Sequence, residues 1–531
     1  MPNNVQIYDS TLRDGAQAEG ITFSLEDKLL IARELDELGV HYIEGGWPNP
    51  TNPTDQAFFE RAGKEKWQNA ILTAFGSTRR PSNRSEDDPI LKTMLDAGTA
   101  TVTIFGKTWD LHVSDVLKTT LDENLALIED SVRYLISEGR EVVYDAEHFF
   151  DGYKDNPEYA LKTLEAASNG GAGVVVLCDT NGGTLVSEAQ QIMGDVAPRL
   201  STPFGIHAHN DGGMAAAISV AAVEAGATHV QGVINGFGER CGNANLCSVI
   251  PALELKLDKK CLGPERLGQL MKTSRFVSEV ANIPHDHRQP YVGETAFAHK
   301  GGAHVDAMLK NPRCYEHVTP DSVGNERRYL LSDQSGGATV TEKLSQIVPG
   351  IDKKSPVVRT LLEQIKQLEH EGYEFEAAGG SFELLAHKAL GSFKEHFHLI
   401  SYRTIDRKVG DEPPDIEAII KLDVDGDTYH KVAGGDGPVN ALDNALRLAL
   451  QQAYPSLLET RLVDYKVRVI NGGSGTEAKV RVWIEATDGT DLWGTVGVAE
   501  DIIEASWIAL VDSYNYRLLK DTLAQAPAAA P

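Results

Sequence analysis

Over residues 1 to about 275 the chain repeats one unit eight times: a short run rich in β-branched residues, then an amphipathic helical stretch. The runs are Val5 to Tyr8, Tyr42 to Glu44, Ala70 to Phe75, Thr101 to Phe105, Val142 to Ala146, Gly173 to Leu177, Pro203 to His207 and Thr228 to Ile234. The stretch Ser24 to Leu38 is typical of the helices. It opens on Ser24-Leu-Glu-Asp27, a near match to a capping box, and stops at Gly39. Strands alternating with helices build α/β folds, and eight of them indicate a (β/α)8 TIM barrel, with a doubly wound sheet as the competing arrangement.

The chain has 531 residues, too many for one core, so further domains are expected after the barrel. From 276 to 395 glycines interrupt short helical stretches such as Val357 to Gly372, which reads as linker subdomains. From 396 to 522 a period appears twice. Ile416 to Val424, the turn Asp425-Gly426, a Gly-rich loop Gly434 to Gly437 and a helix Val439 to Gln452 are followed by Lys479 to Ala486, Asp488-Gly489, Gly494 to Gly497 and a helix Glu500 to Val511. Asp-Gly between alternating apolar runs signals a hairpin, so two packed ββα units are expected. Residues 523–531 carry no side chains suited to a core and read as a disordered tail.

A formal charge of −27 argues against nucleic acid as a partner, and an anionic substrate would need a locally positive site. No apolar run approaches the ~20 residues of a membrane span, and the start of the chain lacks the basic and apolar regions of a signal peptide, so a cytoplasmic protein without a membrane partner is expected. Five cysteines without a CxxC pair read as free thiols.

Active sites of TIM barrels lie at the C-terminal ends of the strands. The first run leads into Arg13 and Asp14, suited to stabilising an oxyanion and holding a cation respectively, or to a plain surface ion pair. The seventh ends in His207-Ala-His209, whose two imidazoles share one strand face and can reach one metal ion, or can be two satisfied core histidines. After the eighth, the loop Asn235 to Asn243 can add an amide oxygen; its glycines fail the GxGxxG spacing, which removes a dinucleotide loop. One carboxylate, two imidazoles and an amide suit a divalent ion, with Mn, Mg, Zn and Co all tolerable. Glu147 after the fifth run is a candidate acid or base, and Thr180 after the sixth a hydroxyl donor to a substrate carboxylate.

Four motifs together, Asp9-Ser-Thr-Leu-Arg-Asp-Gly-Ala-Gln17, His207-Ala-His-Asn-Asp-Gly-Gly-Met214, Asn235-Gly-Phe-Gly-Glu-Arg-Cys-Gly-Asn243 and Phe297-Ala-His-Lys-Gly-Gly-Ala-His-Val-Asp306, make the chain resemble the acyl-CoA condensing members of the metal-dependent barrel lyases, a family that includes 2-isopropylmalate, homocitrate and citramalate synthases. Gly435-Asp-Gly-Pro-Val-Asn-Ala-Leu442 and Gly475-Thr-Glu-Ala478 extend the resemblance into a C-terminal regulatory domain. The resemblance implies metal ligands at Asp14, His207, His209 and Asn243, catalytic roles for Arg13, Glu147, His304 and Tyr315, and substrate contacts from Arg13, Gln17 and Thr180. It also implies acetyl-CoA and a small 2-oxo acid as substrates, a homodimer or higher homo-oligomer, and an amino-acid effector, isoleucine where the oxo acid is pyruvate. Ala146-Glu-His148 and Asp179-Thr-Asn-Gly-Gly183 depart from the isopropylmalate synthase pattern and, with Phe105-Gly-Lys-Thr-Trp-Asp-Leu-His-Val113, resemble longer bacterial members that take pyruvate. 2-Oxoisovalerate and 2-oxoglutarate are the alternatives, and a catalytically silent barrel acting as an amino-acid sensor is the non-enzymatic one.

Overall fold

A computed structural model describes residues 3–332, 334–470 and 478–525. The chain forms two compact units, one of Met1–Phe297 with Glu316–Arg327, the other of Ala298–Tyr315 with Arg328–Pro531.

The first unit is a closed parallel barrel of strands β1 (Gln6–Asp9), β2 (Tyr42–Gly46), β3 (Ile71–Ser77), β4 (Thr101–Lys107), β5 (Glu141–Glu147), β6 (Val174–Asp179), β7 (Phe204–Ala208) and β8 (His229–Gly232). Closure is made by β1 against β8, Gln6 facing His229 and Asp9 facing Gly232, which excludes the doubly wound sheet. β-Branched runs buried on both faces suit strands wrapped by helices, and residues such as Ile7, Val102, Val142, Val175 and Ile206 are fully or almost fully buried. The helix Leu25–Leu38 keeps its capping box: Ser24 Oγ accepts from Asp27 N–H at 3.2 Å while Asp27 accepts from Ser24 N–H at 2.8 Å. It ends at Gly39, whose φ of +88° is left-handed. All five cysteines are free, and no described helix is long and apolar enough to cross a membrane.

The second unit begins with two short paired strands, β9 (Ala298–His299) and β10 (Arg328–Tyr329), and the helices Gly302–Lys310, Gly337–Ser345, Pro356–Glu371 and Gly379–Leu390. Two three-stranded antiparallel sheets follow: β11 (His398–Arg407), β12 (Asp415–Val424) and β13 (Asp427–Gly434), then β14 (Arg461–Val469), β15 (Val480–Thr487) and β16 (Leu492–Ala499). Each is followed by a helix, Pro438–Leu450 or Ile502–Gln525, and both halves share one core that includes Ile420, Leu446, Ile484 and Leu510. The repeat is therefore βββα, not the expected ββα. β11 and β14 were not expected; both are exposed along most of their length, although Val463 to Val469 alternates apolar with charged residues. Gly494 to Gly497 lies inside β16 and is not a loop. A Cβ at Gly494 would meet Ala377 O at 1.9 Å and one at Gly497 would meet Ala505 O at 2.0 Å, so these glycines allow close backbone approach. The final helix continues through Gln525, into the segment expected to be disordered; residues 526–531, and 475–477 of the Gly475 motif, lie outside the described residues.

Candidate active site

The end of β1 and the two strands before closure bring together residues far apart in sequence. Beyond β1 the chain turns back through Ser10 to Asp14, and β7 presents His207, with His209 just past its end. Ligand atoms of Asp14, His207 and His209 all lie within 4.8 Å of one another, and all three residues are buried. His207 Nε2 is 3.5 Å and His209 Nε2 3.9 Å from Asp14 Oδ2. A short bridge between His209 and Asn243 carries the fourth residue to the cluster, and the Asn243 amide reaches the Asp14 carboxylate.

Protonation states suit a cation. Burial pushes the Asp14 carboxyl up, but the Arg13 guanidinium and the two imidazoles outweigh it and hold the group at about 2. Burial, with the neighbouring His207, lowers His209 to about 4, and burial lowers His207 as well. Neutral imidazoles beside an ionised carboxylate are what metal ligation requires. Asp14 Oδ1, His209 Nδ1 and Asn243 Oδ1 are buried without a partner among the described residues, and buried polar atoms are nearly always satisfied. The donor set therefore fits a divalent cation.

Arg13 is clamped on three sides. Its Nε donates to Glu44, its Nη1 lies 3.2 Å from Asp14 Oδ2, and its guanidinium covers the Phe75 ring 3.8 Å from the centroid. Glu44 also accepts from Tyr8 Oη at 2.5 Å and Ser10 Oγ at 2.9 Å, so a fully buried carboxylate holds the arginine in place. Arg13, Gln17, Glu147 and Thr180 line one cavity of about 230 Å³ with the three cluster residues, and Trp47, Phe75 and Phe105 wall it. Lys107 pairs with Glu147, and Thr180 Oγ1 accepts the His148 backbone N–H at 2.9 Å. His304 and Tyr315 belong to the second unit, where their rings stack with centroids 4.1 Å apart.

Several residues at this site escape a reading of strand ends alone. Glu44, Asp145 and Gln231 lie within strands, where the sequence shows only isolated polar residues in apolar runs. A charged residue in a strand enclosed on both faces is itself a signal, because burial demands a partner. Asp145 forms no ion pair among the described residues; burial, then the nearby Glu44, raises its carboxyl to about 8.

Known proteins resemble this chain over nearly its whole length. The HMGL-like family model matches residues 4–277, a homocitrate synthase post-HMGL domain-like model residues 291–373, and the LeuA allosteric (dimerisation) domain residues 376–518. An (R)-citramalate synthase of Aquifex aeolicus is 54% identical over 98% of this chain and 99% of its own. One from Streptomyces coelicolor is 47% identical over 99% of each chain. A probable 2-isopropylmalate synthase of Methanopyrus kandleri is 31% identical over 97% of this chain and 98% of its own. With eight strand ends converging on an Asp-His-His cluster and these likenesses running nearly end to end, the chain belongs to the HMGL-like family and, within it, to the (R)-citramalate synthases.

Proposed function

We propose that the barrel condenses acetyl-CoA with pyruvate and water to give (R)-citramalate and CoA. The observation that carries this reading is the buried Asp14, His207 and His209 cluster sharing one cavity with the Arg13 guanidinium. Asp14, His207, His209 and Asn243 would hold a divalent cation, Mn, Mg, Zn or Co. When bound, it supplies Lewis acidity to a chelating 2-oxo acid.

The chain's own groups account for the rest. Glu44 and Asp14 occupy Nε and Nη1 of Arg13, leaving Nη2 to donate to the keto oxygen as it gains negative charge. Thr180 Oγ1 faces the substrate carboxylate. A base takes a methyl proton from acetyl-CoA, the new carbanion attacks the keto carbon, the alkoxide is protonated, and water cleaves the thioester to release CoA. Glu147, which lines the cavity, and His304, stacked on Tyr315, are the two candidate bases. Trp47, Phe75 and Phe105 exclude water from the carbanion.

The barrel, 1–275, carries the chemistry; 276–395 links it to a domain at 396–522 that pairs two copies of the chain and binds isoleucine. The match to an allosteric (dimerisation) domain supports this. The deciding experiment measures CoA release from acetyl-CoA with pyruvate, 2-oxoisovalerate and 2-oxoglutarate in turn. Preference for 2-oxoisovalerate would make the enzyme an isopropylmalate synthase, and no release with any of them would leave a sensor.

A further inference from the structure

Inside the barrel a hydrogen-bonded relay joins His207 to Asp145, which lines the same cavity. His207 Nδ1 lies 3.0 Å from Gln231 Oε1, and Gln231 Nε2 donates to Asp145 Oδ1 at 2.9 Å. Asp145 is on β5, Gln231 on β8 and His207 on β7, so only barrel closure brings them together. All three are buried, Gln231 completely.

We propose that Asp145 is a positioning residue that selects the His207 tautomer through Gln231. An amide has one donor end and one acceptor end, and a carboxyl oxygen without a proton can only accept, as Asp145 Oδ1 does here from Gln231 Nε2. Asp145 takes the amide nitrogen of Gln231, so the amide oxygen must face His207. An amide oxygen can only accept, so the imidazole carries its proton on Nδ1. The lone pair of Nε2 is thereby aimed at Asp14, the side on which the cation would be ligated. A buried acid thus acts two hydrogen bonds away from the ligand it controls. This part rests on the reading of Asp14, His207 and His209 as metal ligands; the tautomer assignment does not.

The relay predicts a reciprocal rescue. Asp145→Asn gives Gln231 a neighbour that can donate as well as accept, and the amide loses its fixed direction. Adding Gln231→Glu restores the pattern with its polarity reversed: the amide now at position 145 donates to the carboxylate now at position 231, whose other oxygen accepts from His207 Nδ1. Two measurements on the full-length protein, made above pH 8 where the wild-type Asp145 carboxyl is ionised, test this. Long-range ¹H–¹⁵N NMR of the metal-free protein reads the tautomer, and Mn²⁺ titration reads affinity. The expected result is Nδ1–H for wild type, a mixture with Nε2–H for D145N, and Nδ1–H again for D145N/Q231E. Mn²⁺ should bind D145N about 10-fold more weakly, the lower end of the usual effect of such outer partners, and recover in the double variant. Unchanged Nδ1–H in folded D145N, or failure of Q231E to restore it, overturns the relay. If D145N does not fold, Q231M removes the acceptor directly, and pure Nδ1–H there overturns it equally. A tautomer that changes and recovers while Mn²⁺ affinity stays constant supports the relay and removes the metal reading beneath it.

Discussion

Replacing Arg13 by lysine separates the arginine's two jobs. The guanidinium serves Glu44, Asp14 and the Phe75 face at once, and in the proposed reaction keeps one nitrogen for the substrate oxygen. Lysine has a single nitrogen on a flexible stem, and the fully buried Glu44 will capture it, because an unpaired buried charge costs about 3–5 kcal/mol. The fold should therefore survive Arg13→Lys while the developing alkoxide loses its donor. Loss of one such donor costs roughly 10²–10³ in kcat, about 2.7–4 kcal/mol. Arg13→Ala should lose the same catalysis and also several kcal/mol of stability, since Tyr8 and Ser10 alone remain to Glu44. Steady-state CoA release and thermal unfolding of both variants read the two effects. A lysine variant with kcat within threefold of wild type, or an alanine variant as stable as wild type, would refute the argument.

His209→Ala removes one of three clustered ligand side chains, and bound metal and activity should fall together; elemental analysis beside turnover checks this, with retention of both as the contrary result. Burial, partly offset by the Thr11 donors, raises the Asp9 carboxyl from 3.8 to about 7. A carboxyl raised on folding is fully favourable only below its unfolded pKa, and stability drains away as pH rises from about 4 to about 7, by on the order of 4 kcal/mol. Asp9→Asn removes that dependence, so its thermal midpoint should gain on wild type between pH 4.5 and 7.5; a constant difference would show that Asp9 ionises freely. Isoleucine at millimolar concentration should inhibit the full-length enzyme more than leucine or valine, and no response to any of the three in an activity assay would rule out the effector assignment.

The barrel was legible in the residues because its information is local. A β-branched run followed by a capped helix specifies its own secondary structure, and eight such units leave few ways to close. His207 and His209 could be paired from spacing alone, since residues two apart share a strand face. The C-terminal repeat was only partly legible. β12 alternates between buried and exposed residues and could be recognised, whereas β11 and β14 lie exposed along most of their length, so even the apolar-charged alternation of Val463 to Val469 marks no buried face.

What the sequence by itself determined is therefore the kind of element at each position and the residue types at the strand ends: Arg13 and Asp14 after β1, Glu147 at the end of β5, His207 and His209 at the end of β7. The tertiary structure alone decided who meets whom. The grip of Glu44 on Arg13 spans 31 residues, and the Gln231 contact with Asp145 spans 86. The first follows from the pairing of β1 with β2, and the second from barrel closure, which brings β5 and β8 across one interior. Burial in that closed interior then turns ordinary carboxylates and imidazoles into groups that must find a partner, because solvation is no longer there to satisfy them.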